Sequence, residues 1–388
     1  MKRHSWHGYN LIWLSYLAIG CCMATAAETE TIEKAAPDVA PAETWAVFRG
    51  NPLSTGVSAT NLPEKPELLW KFNAPEGGFE STAVIVDGVV YVGCLDGNFY
   101  AIDLAKGTVK WKFPTEAGFK AAAGVSKGVV YVGDMDGVFH ALDAATGAEK
   151  WKKTTDAEII SGANFHGENV IVGSYDQNLY CFNATTGEEV WKLAIEGPVN
   201  CSATIAGDRA FMAGCDSQLH VVDLKTGKDL SAVNIDSQAG ATPAVKGDRL
   251  YVGNMADTFY CINWQKPEIV WSFTDPDGSF PFNSSAAVSG GVAVVGSRSK
   301  RLYGLDMEKG KELWRVQTGG RIDGSPVIVA GRAYFASADG RVYGVDVKTG
   351  EKVWTYEAGG RFASSPAVAA GKMVIGNDRG DLFCFGKK

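Results

Sequence analysis

From about residue 67 onward, apolar and polar positions recur in one motif of four short runs. In residues 81–111 (STAVIVDGVVYVGCLDGNFYAIDLAKGTVKW), small and apolar residues from Ser81 to Val86 precede the two-residue turn Asp87-Gly88. Val89 to Gly93 is the second run, Asp96-Gly97 the next turn, and Asn98 to Asp103 the third run. The turn Lys106-Gly107 leads to a fourth run ending at Trp111. Asp-Gly between apolar runs is the strongest short-range hairpin signal. The pattern therefore predicts four antiparallel strands, here named A to D. In strand C, Phe99 and Ala101 fall on one face and Tyr100 and Ile102 on the other. Both faces are apolar, as expected of a sheet covered on both sides.

The motif repeats. Tryptophans at 70, 111, 151, 191, 271, 314 and 354 are spaced by 41, 40, 40, 80, 43 and 40 residues, with Ser231 at the missing position. A period near 40 marks a propeller or an array. Turns such as Thr146-Gly147, Thr186-Gly187, Thr226-Gly227 and Thr349-Gly350 place glycine where a positive φ is needed. One such sheet cannot bury both faces alone, whereas radial stacking into a ring buries all of them. The last unit, Ser364 to Phe385, stops after strand C, and Trp70 in Glu67-Leu68-Leu69-Trp70 has no A, B or C strand before it. The expected fold is all-β: an eight-bladed propeller of four-stranded antiparallel blades, closed by the N-terminal strand around Trp70. One unit breaks the pattern. Ser231 replaces the tryptophan, and Asn263-Trp264-Gln265-Lys266-Pro267 replaces the Thr-Gly turn. Trp264 is then either an exposed anchor for a partner or a filler for the missing indole.

Ahead of the ring, Lys2 and Arg3 precede the apolar stretch Leu11 to Gly20, followed by the small residues Ala24-Thr25-Ala26. This reads as an export signal over residues 1–26. The apolar stretch is shorter than the roughly 20 residues a bilayer span requires, so no transmembrane span is expected in the mature chain. A lipid anchor at Cys21, after Ala18-Ile19-Gly20, is the alternative ending of the signal. Residues 27–44 are rich in Ala, Pro, Thr and Glu and read as a disordered tether, leaving 45–388 as the propeller.

Composition narrows the partners. The 388 residues carry 37 Lys+Arg against 44 Asp+Glu, a formal charge of −7 without a basic stripe. That argues against nucleic acid and against anionic lipid surfaces. Of the cysteines beyond the signal, Cys181, Cys261 and Cys384 share one repeat position and read as replacements of a small core residue. Cys201 and Cys215 lie on neighbouring strands of one hairpin, either paired in an oxidising compartment or as free thiols.

The unit Ala141-x-Asp143-x-x-Thr146-Gly147-x-x-x-Trp151, with Tyr-Val-Gly before an Asp-Gly turn, resembles the tryptophan-docking repeat of the quinoprotein (PQQ-like) propellers. WD40 repeats fit less well, because no Trp-Asp pair or Gly-His signature is present. The resemblance implies docking roles for Trp70, Trp111, Trp151, Trp191, Trp271, Trp314 and Trp354. It spans two branches. Quinoprotein dehydrogenases hold pyrroloquinoline quinone and calcium in the central funnel. They are longer and carry an adjacent-cysteine pair that the mature part of this chain lacks. Non-catalytic envelope propellers of the BamB type have a signal, a tether and eight compact blades, and this chain is similar to them in layout. Trp45-Ala-Val-Phe-Arg-Gly-Asn-Pro also resembles the opening of many exported proteins with this repeat.

Candidate chemistry sits before each strand A. There the equivalent positions are Glu80, Lys120, Ile160, Asn200, Gly240, Asn283, Asp323 and Ala363, expected to line the funnel mouth. One step earlier, Phe79, Phe119, Ile159, Val199, Ala239, Phe282, Ile322 and Phe362 form an apolar ring expected to plug the channel. If the chain were an enzyme, Glu80, Asn283 and Asp323 would supply oxygen ligands for calcium. Asp323 would be the general base, with Arg321 and Arg361 near an anionic quinone, Asn200 as a further oxygen donor and Lys120 completing the cofactor-binding set of the funnel. The leading expectation is instead an exported, periplasmic or outer-membrane-associated scaffold without a cofactor. It would bind an envelope protein or an extended peptide through its variable loop face or a strand edge. Carbohydrate or cell-wall binding is a third class, for which only the aromatics speak.

Overall fold

The computed structural model describes residues 37–276 and 278–388, so the expectations for the export signal, Cys21 and the first part of the tether lie outside the described residues. Eight sheets form the ring, each ordered A-B-C-D from the inside outward. In blade 1 these are Val84–Val86, Val89–Gly93, Asn98–Asp103 and Val109–Pro114. Strands B and C have the limits read from the sequence. Strand A is shorter than the expected run, because residues near the axis bond sideways to neighbouring blades. Strand D continues past Trp111 rather than ending there. Blade 8 combines Ala367–Ala369, Lys372–Gly376 and Asp381–Gly386 with the N-terminal strand Glu67–Asn73, Trp70 lying opposite Cys384. The ring closes as expected.

Neighbouring blades are latched by the tryptophans. The indole N–H of Trp111 donates to Ala144 O (3.0 Å), that of Trp151 to Ala184 O (3.0 Å) and that of Trp314 to Val347 O (2.8 Å), each in the next blade's C–D turn. Trp70, Trp191 and Trp271 do the same to Leu104, Leu224 and Met307. Each ring lies on the next turn's glycine, and a Cβ at Gly147 or Gly350 would overlap Trp111 or Trp314. Trp354 faces the junction of the two chain ends, where that turn is missing, and packs edge-on against Phe385 instead (5.5 Å). The strand C residue opposite each tryptophan is small, as in Ala101↔Trp111, Cys181↔Trp191 and Gly304↔Trp314. This explains the shared position of Cys181, Cys261 and Cys384, which are buried free thiols. Cys201 and Cys215 are also free, and the Cys201 thiol donates to Ala213 O at 2.7 Å.

The apolar ring from Phe79 to Phe362 does not plug the channel, contrary to the expectation. Its members pack between blades. Phe119, Ile159, Val199 and Phe282 each sit on the strand B glycine of the preceding blade, Gly93, Gly133, Gly173 and Gly253, where a Cβ would overlap them. That contact accounts for the recurring Tyr-Val-Gly.

The axis is closed by the N-terminal segment instead. Residues 42–56 run around the inner edges of the strands A and touch every blade. Trp45 and Ile85 exchange two backbone hydrogen bonds (2.7 and 2.9 Å), and Val125 N–H donates to Ala46 O (2.8 Å). Pro52 O accepts from the Asn164 side chain (3.2 Å) and from Ile205 N–H (2.8 Å). Leu53, Thr55, Gly56 and Ala42 then accept from Val245, Val288, Ile328 and Ala370. Val57–Ser58 adds to blade 7 as a fifth, parallel strand. Order begins earlier than the tether boundary at residue 44, since Ala40 is fully buried and Asp38 pairs with Lys246. Inner strand edges need partners wherever water is excluded, and this segment supplies them. Trp45 and Arg49 are buried at its centre. Arg49 donates to Ala286 O (3.1 Å) and Pro326 O (2.5 Å), and burial lowers its guanidinium to about 9.

Candidate functional site

Above the segment, a central cavity of about 270 Å³ opens on the face that carries the D–A and B–C loops. Phe48 forms its floor, and all eight rim positions read from the sequence line it, Glu80, Lys120, Ile160, Asn200, Gly240, Asn283, Asp323 and Ala363. Repetition does this: one loop position, copied eight times around an axis, converges on that axis.

Two residues further along stands a belt that the sequence reading passed over. Ser202 N–H donates to Thr242 Oγ1 (3.0 Å), Thr242 N–H to Ser285 Oγ (2.9 Å) and Ser285 N–H to Ser325 Oγ (2.9 Å). Ser325 N–H continues to Ser365 Oγ (2.9 Å), and Ser365 N–H to Thr82 Oγ1 (3.1 Å). Ala122 and Gly162 interrupt the belt in blades 2 and 3. The signal was available as hydroxyl residues at the 40-residue period, but it read simply as small inner-strand residues. These hydroxyls tie neighbouring blades together, and the residues that carry them also line the cavity.

The charged rim is neutralised from within. Asp323 accepts from Arg298 Nε at 2.6 Å through one carboxylate oxygen and from Arg321 Nε at 2.5 Å through the other. Glu80 lies 3.8 Å from Lys120 Nζ. The Asn200 amide nitrogen meets Cys215 Sγ at 3.5 Å, and its Oδ1 is buried without a hydrogen-bond partner among the described residues. Asn283 Oδ1 lies close over Gly240. Arg321 sits outside the cavity wall behind Asp323. Arg361 is not in the funnel at all. It lines a separate cleft with Gly359, Gly360, Asp378 and Arg379 between blades 7 and 8.

This donor set does not fit calcium. A hard dication needs six to eight oxygen ligands with free lone pairs. Each Asp323 oxygen already accepts from a guanidinium group, and those two cations and Lys120 would repel a dication. Among the described residues, no group of three or more His, Cys, Asp and Glu is arranged to hold a metal.

Charge is unevenly divided over the loop face around the cavity. Blades 1 to 5 present Glu116, Asp136, Asp156, Glu196 and Asp236 as exposed acids with Lys120 among them, whereas blades 6 to 8 present Lys300, Arg321, Arg361 and Arg379 alongside the acids Asp378 and Glu76. Among the described residues, no helix is long and apolar enough to cross a membrane.

Eight four-stranded blades, six of them latched by tryptophan onto the next C–D turn, define a quinoprotein-type, PQQ-like propeller. The family profile described as outer membrane protein assembly factor BamB matches residues 56–163, 136–230, 215–279 and 268–386, and the chain belongs to that family. No curated protein sequence matches it. Among solved structures it is similar to BamB from Moraxella catarrhalis, with 16% identity, TM-score 0.70 and coverage of 83% of this chain and 98% of that one. It is also similar to the quinohemoprotein alcohol dehydrogenase of Pseudomonas putida HK5, with 15% identity, TM-score 0.77 and coverage of 89% and 80%. The computationally designed Ika8 protein matches at 15% identity, TM-score 0.74 and coverage of 83% and 100%. At these identities the likenesses show the fold, which serves enzymes and non-enzymes alike.

Proposed function

We propose that the chain is an extracytoplasmic, non-catalytic propeller that holds partner proteins in the cell envelope, as part of outer-membrane protein assembly. Membership of a family described by that process supports the setting, and the export signal read at residues 1–26 supports the compartment. The observation that carries the non-catalytic reading is Asp323, locked between Arg298 and Arg321 at the rim of a cavity floored by Phe48. The reading needs no quinone and no calcium. The unevenly charged loop face offers a partner both steering and register, since complementary fields govern encounter and orientation more than bulk affinity.

Titration of the purified chain with pyrroloquinoline quinone and calcium, followed by dye reduction with simple alcohols and sugars, tests it. The expected result is no saturable binding at about 100 μM, well above the micromolar range of a specific complex worth roughly 8 kcal/mol. Calcium-dependent binding with dye reduction, lost in Asp323→Ala, would instead establish a small quinone-dependent dehydrogenase. Fractionation of the expressed full-length chain tests the compartment, and palmitate labelling of wild type against Cys21→Ala tests the lipid anchor.

A further inference from the structure

Every blade ends in an outer strand D whose alternate backbone N–H and C=O groups face solvent, a template for a further strand. The inner edges are covered by residues 42–58, so the outer edges are the ones left to be guarded. The guards flank the tryptophan position. Blade 1 has Lys110 and Lys112 there, blade 2 has Lys150 and Lys152, and blades 3, 6 and 8 have one cation each. Charged side chains at an edge discourage strand pairing.

Blade 4 departs from this. Its strand D, Asp229–Asn234 (DLSAVN), has Leu230 and Ala232 at the guard positions and contains no Lys, Arg or Pro. Leu230 is 50% exposed. The strand's one charge is engaged within the blade, since Asp229 Oδ2 lies 2.7 Å from His220 Nδ1, whose Nε2 lies 2.7 Å from Asp216. Ser231 brings no indole to the edge. Ile235 N–H donates inward to Ser217 O (2.9 Å), so alternation turns the backbone groups of Ala232 and Asn234 outward. Blade 5 also lacks cations in its strand D, but is entered through Pro267, and the corresponding strand of blade 7 begins with Lys352.

We infer that the outer edge of blade 4 takes an extended segment of a partner protein as a fifth strand. The inference rests on the scaffold reading above and names where the partner pairs. An open ladder is matched only by an extended backbone, and the low shelf of Ser231 and Ala232 lets one approach. The same ring already accepts a fifth strand elsewhere, Val57–Ser58 on the inner edge of blade 7. Charge fixes the class of segment. The strand carries one acid and no base, with the exposed Lys228 just before it and the exposed Asp236 just after it. The complementary segment therefore alternates small or β-branched residues and carries Lys or Arg at the end lying over Asp236.

The test uses the full chain and a fluorescein-labelled eight-residue peptide of alternating Thr and Val with one terminal Lys. Binding is read by anisotropy and located by hydrogen–deuterium exchange. The expected result is slowed exchange in residues 229–234 and a loss of affinity of about tenfold or more in Leu230→Lys/Ala232→Lys, in line with charge at a strand edge. The single variant Ala232→Arg, with an unchanged melting temperature, guards against a folding defect. Control Val190→Lys, on the edge of blade 3, leaves binding intact. Protection appearing at another edge or on the loop face overturns the assignment to blade 4 while leaving the scaffold reading standing. A wild-type dimer that the double variant makes monomeric overturns it in favour of a second copy of this chain. No protection and no binding overturns it outright. Failure of the scaffold reading itself shows separately, as calcium-dependent quinone binding.

Discussion

Trp264 lies with its ring centroid 5.2 Å from that of Phe211 in the preceding blade, and its indole N–H donates to Gly247 O at 3.0 Å. It reaches back from blade 5 into the gap left by Ser231, which stands where blade 4 would carry its docking tryptophan. Of the two roles open to Trp264 in the sequence, the structure selects the filler. The N–H bond stays within blade 5, so the indole contact between these two blades comes from the following blade, the reverse of the others, and is made by ring packing alone.

A reversed latch has a thermodynamic signature. Trp264→Ala is expected to destabilise the ring by about 3 kcal/mol, the scale of removing a large aromatic from a packed site. Ser231→Trp alone gains nothing, because the place is taken. In the Trp264→Ala background it recovers part of the loss, with a coupling of about 1–3 kcal/mol. Urea unfolding of the four proteins measures this, and simple additivity would show that the two positions do not share a space.

Removing Asp381–Gly386 takes away the strand that holds Glu67–Asn73 in blade 8. The expected outcome is a single cooperative transition at much lower temperature for the whole ring. Calorimetry showing a nearly native main transition with a small early shoulder would mean that the junction frays locally.

Alkali should unfold the protein progressively. Burial raises the thiols of Cys94, Cys181, Cys261 and Cys384 to about 12 from the ordinary 9, and the phenols of Tyr91 and Tyr131 to about 12 from 10. A folded pKa above the unfolded one gives stability that is whole below pH 9 and lost as pH climbs from 9 towards 12, because the unfolded chain releases its protons first. Arg49, lowered to about 9 by burial, acts in the opposite sense but is one group against these six. Urea midpoints falling steadily above pH 9 are expected, with a shallower fall in Cys261→Ala. At pH 8 a thiol reagent should reach the half-buried Cys215 first and the buried thiols only on unfolding.

Gly304→Val sets a side chain against the Trp314 ring, which already fills the space a Cβ would take. A loss of about 1–3 kcal/mol or more is expected from overpacking. Thermal melts check this, and tolerance of valine there would mean that the indole can swing away from its bond to Val347.

Much of this was legible in the residues, and the boundary of legibility has a physical cause. Strands B and C of blade 1 were readable because their pattern is local, a two-residue turn at each end and two apolar faces between. The eight rim positions, Glu80 to Ala363, were readable because one loop recurs. Residues 42–56 were not, because each forms its bonds with a different blade and so no period is imposed on Trp45, Arg49 or Leu53. The partner of Asp323 was hidden for a related reason. Arg298 comes from the B–C turn of the blade before, 25 residues away, and a repeat alignment compares equivalent positions rather than facing ones. Arg361 misled for the opposite reason, since it lies close in sequence to a rim position yet its side chain belongs to another cleft.

The segment at the hub also sets an order of events. Residues 42–58 leave the ribosome before any blade exists, yet their partners include Ala370 near the other end of the chain. They cannot be seated until the final blade has been delivered. A chain stalled partway through synthesis would hold a row of finished blades around an open axle, with the buried side chains of Trp45 and Arg49 left in water. The first part of the domain to be made is thus the last to be installed, and its arrival reports that the whole ring is present.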